Sequence, residues 1–170
     1  PWTAENIPAI LYAWYPGEEG GNAIADVLFG KYNPAGRLPV TFVKSIDQLP
    51  PFEDYSMKGR TYRYMEQEPL YPFGFGLSYT SFEYGKLSVL PKSPAVGEKV
   101  TVSVEVKNRG KRAGDEVVQV YLSDLEASAI VPKRKLVAFK RVNIPAGKGK
   151  TLKFTLTADK FALVNDEGKK

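Results

Sequence analysis

From Val100 the chain alternates strictly: Val100, Val102, Val104 and Val106 are separated by Thr101, Ser103, Glu105 and Lys107. A period of two places one set of side chains on a dry face and the other in water, which predicts a half-buried antiparallel strand. Asn108-Arg109-Gly110 reads as the turn that ends it. The same alternation recurs in Glu116 to Ser123, with Val118, Val120 and Leu122 on one face, and in Leu152, Phe154 and Leu156; Leu136 to Val142 is a further candidate. Phe139, Phe154 and Phe161 fall at positions expected to look inward, and Tyr121 at one expected to look outward. Several short strands separated by turns predict an antiparallel β-sandwich over residues 79–170.

Before Tyr79 the pattern is different. Ala9-Ile10-Leu11-Tyr12-Ala13-Trp14 is a continuous apolar run and reads as a buried strand. Pro16-Gly17 breaks it, Ala23, Ile24, Val27 and Leu28 recur at helical spacing, and Gly30 offers a C-terminal cap. A strand and a helix are half of a βα unit, and a parallel sheet needs further strands with helices on both faces. The rest of that sheet is therefore expected before Pro1, which we read as an internal position. Asn33 to Thr80 carries proline-laden segments, Leu49-Pro50-Pro51-Phe52 and Glu68-Pro69-Leu70-Tyr71-Pro72-Phe73, that suit an extended linker packed on something larger. The expected fold is mainly β: an antiparallel β-sandwich (79–170) preceded by a partial α/β segment (1–78).

Composition narrows the chemistry. The chain has 170 residues, no Cys and no His. Disulfide and thiolate chemistry, imidazole catalysis and the commonest zinc sites are thereby excluded. No stretch approaches the roughly 20 apolar residues that span a bilayer as a helix. The net charge of +5 is uneven. Residues 1–84 hold 6 Lys+Arg and 10 Asp+Glu (−4), and residues 85–170 hold 18 and 9 (+9). No recognition helix or aromatic RNA-binding motif accompanies the basic half, so its lysines read as solubilising positions on strands and turns rather than a nucleic-acid surface.

Each tempting motif has a plainer reading. Glu18 and Glu19 are adjacent, whereas retaining glycoside hydrolysis needs two carboxyl groups about 5 Å apart on either side of the bond. Neighbours on a helix point about 100° apart, so these two are expected to favour the helix N-terminus through its dipole. Gly17, Gly20 and Gly21 lack the lysine of a phosphate loop and the spacing of a dinucleotide fingerprint, and suit a tight turn and close helix packing. Arg60, Tyr62, Arg63 and Tyr64 form the better candidate site, because aromatic faces stack on sugars and guanidinium groups bond hydroxyls in a fixed fork. The structural alternative is a clamp between the two halves of the chain, with Arg63 paired to Asp54 or Glu66. Tyr71, Phe73, Phe75, Tyr79 and Phe82 read as core and interface aromatics. Asp115-Glu116 and Asp166-Glu167 are isolated pairs, and no metal site is expected.

The string from Tyr12 to Gly30, with Trp14-Tyr15-Pro16-Gly17-Glu18-Glu19-Gly20-Gly21 at its centre, is followed by Asn33-Pro34-Ala35-Gly36-Arg37-Leu38-Pro39. Together they resemble the second-domain signature of glycoside hydrolase family 3. Gly59-Arg60-Thr61-Tyr62-Arg63-Tyr64 and the run from Pro69 to Tyr79 are similar to the segment by which the family's β-glucosidases and β-xylosidases leave that domain. Gly114 to Tyr121 and Leu136 to Arg141 resemble its fibronectin type III-like third domain, which implies that the sandwich over 79–170 is of immunoglobulin or fibronectin type III-like form. The resemblance implies a parent enzyme that hydrolyses terminal β-linked glucose or xylose with retention. Its aspartate nucleophile and acid/base glutamate would lie upstream, leaving no catalytic residue in this chain. It implies no cofactor, an oligosaccharide substrate reached through the upstream domains, and no nucleic-acid or membrane partner. It is compatible with a homodimer of the whole enzyme in a periplasmic or extracellular setting. The family's last strand is expected to be missing after Asn165–Lys170, making the chain a fragment truncated at both ends. The competing reading is a stand-alone carbohydrate-binding or adhesion module, which would show a row of exposed aromatics on one sheet face.

Overall fold

The computed structural model describes residues 1–127 and 129–163; the expectation about the last strand and Asp166-Glu167 lies outside them. Among the described residues six strands build a sandwich: β1 (Phe82–Tyr84), β2 (Ser88–Leu90), β3 (Val100–Asn108), β4 (Gly114–Leu122), β5 (Lys135–Ile144) and β6 (Gly149–Leu156). All pairings are antiparallel. Central β3 carries β6 along one edge, while β1 and β2, two pieces of one interrupted strand, share the other. In the second sheet the described strands are the pair β4–β5.

The alternation places Val100, Val102, Val104 and Val106 of β3 and Leu152, Phe154 and Leu156 of β6 inside, against Val118 of β4 and Val137, Val142 and Ile144 of β5. Val120, Leu122 and Phe82 pack at its margin. Burying each aliphatic side chain contributes on the order of 1.5–3 kcal/mol, so this cluster is the main source of cohesion. Phe139 corrects the inward expectation and is 68% exposed. The β4–β5 register slips between Val120 and Tyr121, leaving Val137 with no opposite residue. Ala138, Val142 and Ile144 then take the inner positions, and Phe139 lies opposite Gln119 on the outer face. Phe161 is likewise exposed, because it follows a short 3₁₀ turn (Ala158–Lys160) rather than lying on a strand. Asn108, read as a turn residue, ends β3 fully buried. Its amide donates to the carbonyls of Arg112 (2.8 Å) and Ile144 (2.9 Å), and its oxygen accepts from Thr80 Oγ1 (2.6 Å) and the Gly110 N–H (3.0 Å). With every side-chain polar atom partnered, it staples the connection from β3 to β4, where the chain crosses from one sheet to the other, from within.

The first half is held differently. Helix α1 (Trp2–Asn6) is one short turn, and helix α2 (Gly20–Leu28) confirms the helical spacing. Gly30, at φ +72°, accepts the left-handed conformation that stops α2. The strand expected at Ala9–Trp14 does not form. No described strand lies beside it, an unpaired strand leaves its backbone unsatisfied, and Ile10 and Trp14 remain 47% and 49% exposed. The segment from Asn33 to Thr80 is not extended throughout. It contains a 3₁₀ turn (Ile46–Gln48), a four-residue helix α3 (Thr61–Tyr64), and an antiparallel bridge between Phe42 and Tyr71. Among the described residues no helix is long and apolar enough to cross a membrane.

Candidate functional site

Tyr62 and Phe73 of the loop from Asn33 to Thr80 lie on the β4–β5 sheet, and the seam they mark is the candidate site. Its polar anchor is Arg37, whose Nη2 donates to Glu116 Oε1 at 2.9 Å. The two side chains are only 11% and 9% exposed. Glu116 also accepts the Val117 N–H at 2.8 Å, so the carboxylate is bonded to charge and backbone alike. Beside it stands Tyr84, whose hydroxyl is pushed up to about 12 by burial and then by the negative charge of Glu116.

A second anchor is Asn33. Its Nδ2 donates to the Ala113 carbonyl (3.0 Å), while its Oδ1 accepts from Ser78 Oγ (2.9 Å) and the Tyr79 N–H (2.8 Å). The Tyr79 hydroxyl in turn donates to the Val27 carbonyl at the end of α2, and Arg112 lies over the Tyr79 ring. One amide thus gathers the helix end, the loop and the β3–β4 connection. Gly114 makes this approach possible, since a Cβ there would stand 2.7 Å from Asn33 Nδ2.

The third contact is aromatic. Tyr62 stacks on Phe73, with centroids 4.2 Å apart and planes 15° apart, and meets Tyr121 of β4 edge to face at 5.9 Å. Its hydroxyl accepts the Leu136 N–H at 3.1 Å. Gln119 donates to the Gly74 carbonyl at 3.1 Å and accepts from the Tyr121 hydroxyl at 2.5 Å. Tyr71 and Phe75 stack on each other within the loop at 5.3 Å.

The four candidate residues Arg60, Tyr62, Arg63 and Tyr64 are put to separate uses rather than gathered into one site. The Arg60 guanidinium donates to the carbonyls of Pro51, Asp54 and Ser56, closing its own loop. Tyr62 belongs to the seam. Arg63 does not pair with Asp54 or Glu66, as the clamp reading expected; its carbonyl accepts the Lys133 N–H, its guanidinium lies over the Tyr64 ring, and its buried Nε has no partner among the described residues. Thr61 between them holds φ +55°, a conformation that a β-branched residue adopts only under constraint. The clamp exists, but it runs through Tyr62 and the Arg63 backbone.

The carboxylates are spent locally. Glu19 is the N-cap residue of α2 and accepts from Asn22 Nδ2 at 2.5 Å rather than capping the helix N–H groups. Asp115 is held below the usual carboxylate range by Asn143 and then by Arg141. Of the three glycines beside α2, only Gly20 needs its missing Cβ, which would meet Pro16 at 2.4 Å; Gly17 and Gly21 face open space. Among the described residues no group of three or more acidic, His or Cys side chains could hold a metal. On the outer sheet face, Phe139 is exposed and Tyr121 is packed against Tyr62, so among the described residues no row of free aromatics forms.

Sequence reading missed Asn33, Arg37, Glu116 and Gln119 as functional residues. A signal was present for one: Glu116 shares the parity of Val118, Val120 and Leu122, and a carboxylate on an inward face calls for a cation.

Comparison with known proteins matches residues 1–79 to the glycosyl hydrolase family 3 C-terminal domain and residues 116–170 to the fibronectin type III-like domain. A xylan 1,4-β-xylosidase of Xylanibacter ruminicola is 49% identical over 155 residues, covering 91% of this chain and 18% of that protein. A periplasmic β-glucosidase of Salmonella typhimurium is 42% identical over 177 residues, covering 97% and 23%. A solved β-glucosidase from Erythrobacter marinus superposes with a TM-score of 0.86 at 44% identity, over 98% of this chain and 22% of that one. The chain thus spans about a fifth of the length of such relatives.

Proposed function

The chain belongs to glycoside hydrolase family 3, and from that premise we propose that it is the bracing C-terminal portion of a retaining β-glycosidase acting on terminal β-linked glucose or xylose. The two units divide near Ser78 and Tyr79, and the sandwich serves to hold the preceding loop in place. The observation that carries this reading is the buried Arg37–Glu116 pair, in which the two family-like segments Asn33–Pro39 and Gly114–Tyr121 bond to each other. Catalysis itself belongs to carboxylates outside this chain, since Glu18 and Glu19 are neighbours and cannot flank a glycosidic bond. Arg60 and Tyr62 serve the loop and the seam. Arg63 and Tyr64 are the remaining candidates for contact with sugar.

The chain alone should hydrolyse neither p-nitrophenyl β-glucoside nor p-nitrophenyl β-xyloside. Mixed with the Xylanibacter ruminicola xylosidase from which the matching stretch has been deleted, it should restore xyloside hydrolysis. Turnover by the isolated chain that disappears in Glu18→Gln or Glu19→Gln would sink the proposal.

A further inference from the structure

On the outer face of the β4–β5 sheet, Asn143, Arg141 and Phe139 succeed one another at alternate positions of β5, opposite Asp115, Val117 and Gln119. Asp115 Oδ1 accepts from Asn143 Nδ2 at 2.7 Å, and its Oδ2 accepts from Arg141 Nε at 2.6 Å. Arg141 Nη2 donates in turn to the hydroxyl of Tyr32, in the loop that follows α2. A cavity of about 270 Å³ opens over Asp115 and Asn143, with Tyr32 and Arg112 in its walls. The network fixes these side chains without exhausting them. A carboxylate has about four acceptor sites and a guanidinium five N–H donors, and the bonds among the described residues take two of each.

We propose that this cleft binds a neutral β-linked oligosaccharide, with one sugar ring in the cavity and the next on Phe139. The class of ligand rests on the glycosidase reading. Each sugar hydroxyl both donates and accepts, so adjacent hydroxyls match a carboxylate oxygen set beside a guanidinium or amide N–H. Asn143, Asp115 and Arg141 present the two kinds of group in alternation. They are held in place by one another, which lowers the ordering cost of binding. The C–H faces of a sugar ring seek an aromatic surface instead. Tyr32 is 46% exposed and Phe139 68% exposed, and Phe139 stands about 7 Å along β5 from Arg141. The charges around the cavity already have partners: Asp115 pairs with Arg141, Lys31 with Asp26, and Arg112 donates to the Gly30 carbonyl. That balance favours a neutral ligand over an acidic one. The cleft is built wholly from described residues, on the face of the sheet rather than at a strand edge.

The test is a titration of the ¹⁵N-labelled full chain with xylotetraose and with cellotetraose. Saturable binding, millimolar or tighter, should shift the Asn143 side-chain amide and the Arg141 Nε–H. Phe139→Ala should weaken binding about three- to tenfold, and Phe139→Tyr, which keeps the ring, should retain it. Asn143→Ala should weaken it to a similar degree. No saturation at tens of millimolar sugar, shifts centred on Arg63 and Tyr64, tighter binding of glucuronate than of either tetrasaccharide, or affinity unchanged in Phe139→Ala would each overturn the proposal. The hydrolysis experiment uses aryl glycosides of a single sugar, so the two readings fail separately. A chain that restores hydrolysis yet binds neither tetrasaccharide would overturn the cleft and leave the glycosidase reading standing.

Discussion

Arg37 and Glu116 stand 79 positions apart and meet at 2.9 Å with both side chains nearly closed to solvent. Removing one partner from a buried pair leaves an uncompensated charge and costs about 3–5 kcal/mol, whereas removing both costs much less. Arg37→Met and Glu116→Gln should each lower the urea midpoint strongly, and the double variant should fall well short of their sum. Additive losses in that cycle would show that the two residues act independently.

Gly76 at the seam should differ sharply from Gly21 of α2. A Cβ at Gly76 would lie 2.2 Å from the Gly36 carbonyl oxygen, a backbone atom with little room to yield. Gly76→Ala is expected to cost about 1–3 kcal/mol. Gly21→Ala meets nothing within 4 Å inside a helix and should stabilise by up to about 1 kcal/mol. Thermal unfolding of the two variants checks both signs.

Tyr62 is predicted to act through its ring first and its hydroxyl second. Tyr62→Phe keeps the stack on Phe73 and loses only the acceptor of the Leu136 N–H, for about 1 kcal/mol. Tyr62→Ala removes the ring and should cost about 3–5 kcal/mol. Equal losses from both substitutions in chemical denaturation would contradict this assignment.

Stability should be flat near neutrality and fall in acid. The chain has no His, so no side chain of ordinary pKa titrates between pH 5 and 8. Asp115 (Asn143, then Arg141), Glu83 (Arg109) and Asp159 (Thr157) are all held below their ordinary values of 3.8 to 4.5. Carboxylates with depressed folded-state pKa values contribute stability that is complete above those ordinary values. It is lost as pH falls through the depressed ones. Melting temperatures should therefore hold from pH 5.5 to 7.5 and drop below about pH 4, less steeply in Asp115→Asn.

Tyr84 governs the opposite end. Its folded pKa, raised to about 12 from 10.0, favours the neutral phenol in the native state. The associated stability is complete below pH 10 and is lost as pH rises toward 12. Tyr84→Phe should remove the last step of the ultraviolet phenolate titration of the folded chain.

The dry faces of β3 and β6 were legible because alternate valines and leucines have one reading wherever a sheet has one wet side. Three features were not. Ala9–Trp14 is as apolar as a buried strand, yet pairing depends on neighbours that no local pattern records. Phe139 changed face because a one-residue slip at Val137 reset the parity of β5, and a slip leaves no mark in a run as apolar as Leu136–Phe139. The first strand was overlooked because Gly85-Lys86-Leu87 splits it into β1 and β2, each too short to display a period. At the seam, the aromatics announced themselves while the polar anchors did not. Asn33 and Arg37 look like ordinary turn residues until Ala113 and Glu116 are brought beside them by the fold.

Asn33 binds the Ala113 carbonyl and Arg37 binds Glu116, so the boundary at which one module could be cut from the other is not the end of the loop. A sandwich excised from Tyr79 onward would carry Glu116, Gln119 and Tyr121 with nothing to hold them. Grafting the sandwich between relatives should succeed only when Asn33–Tyr79 travels with it as part of the same cassette.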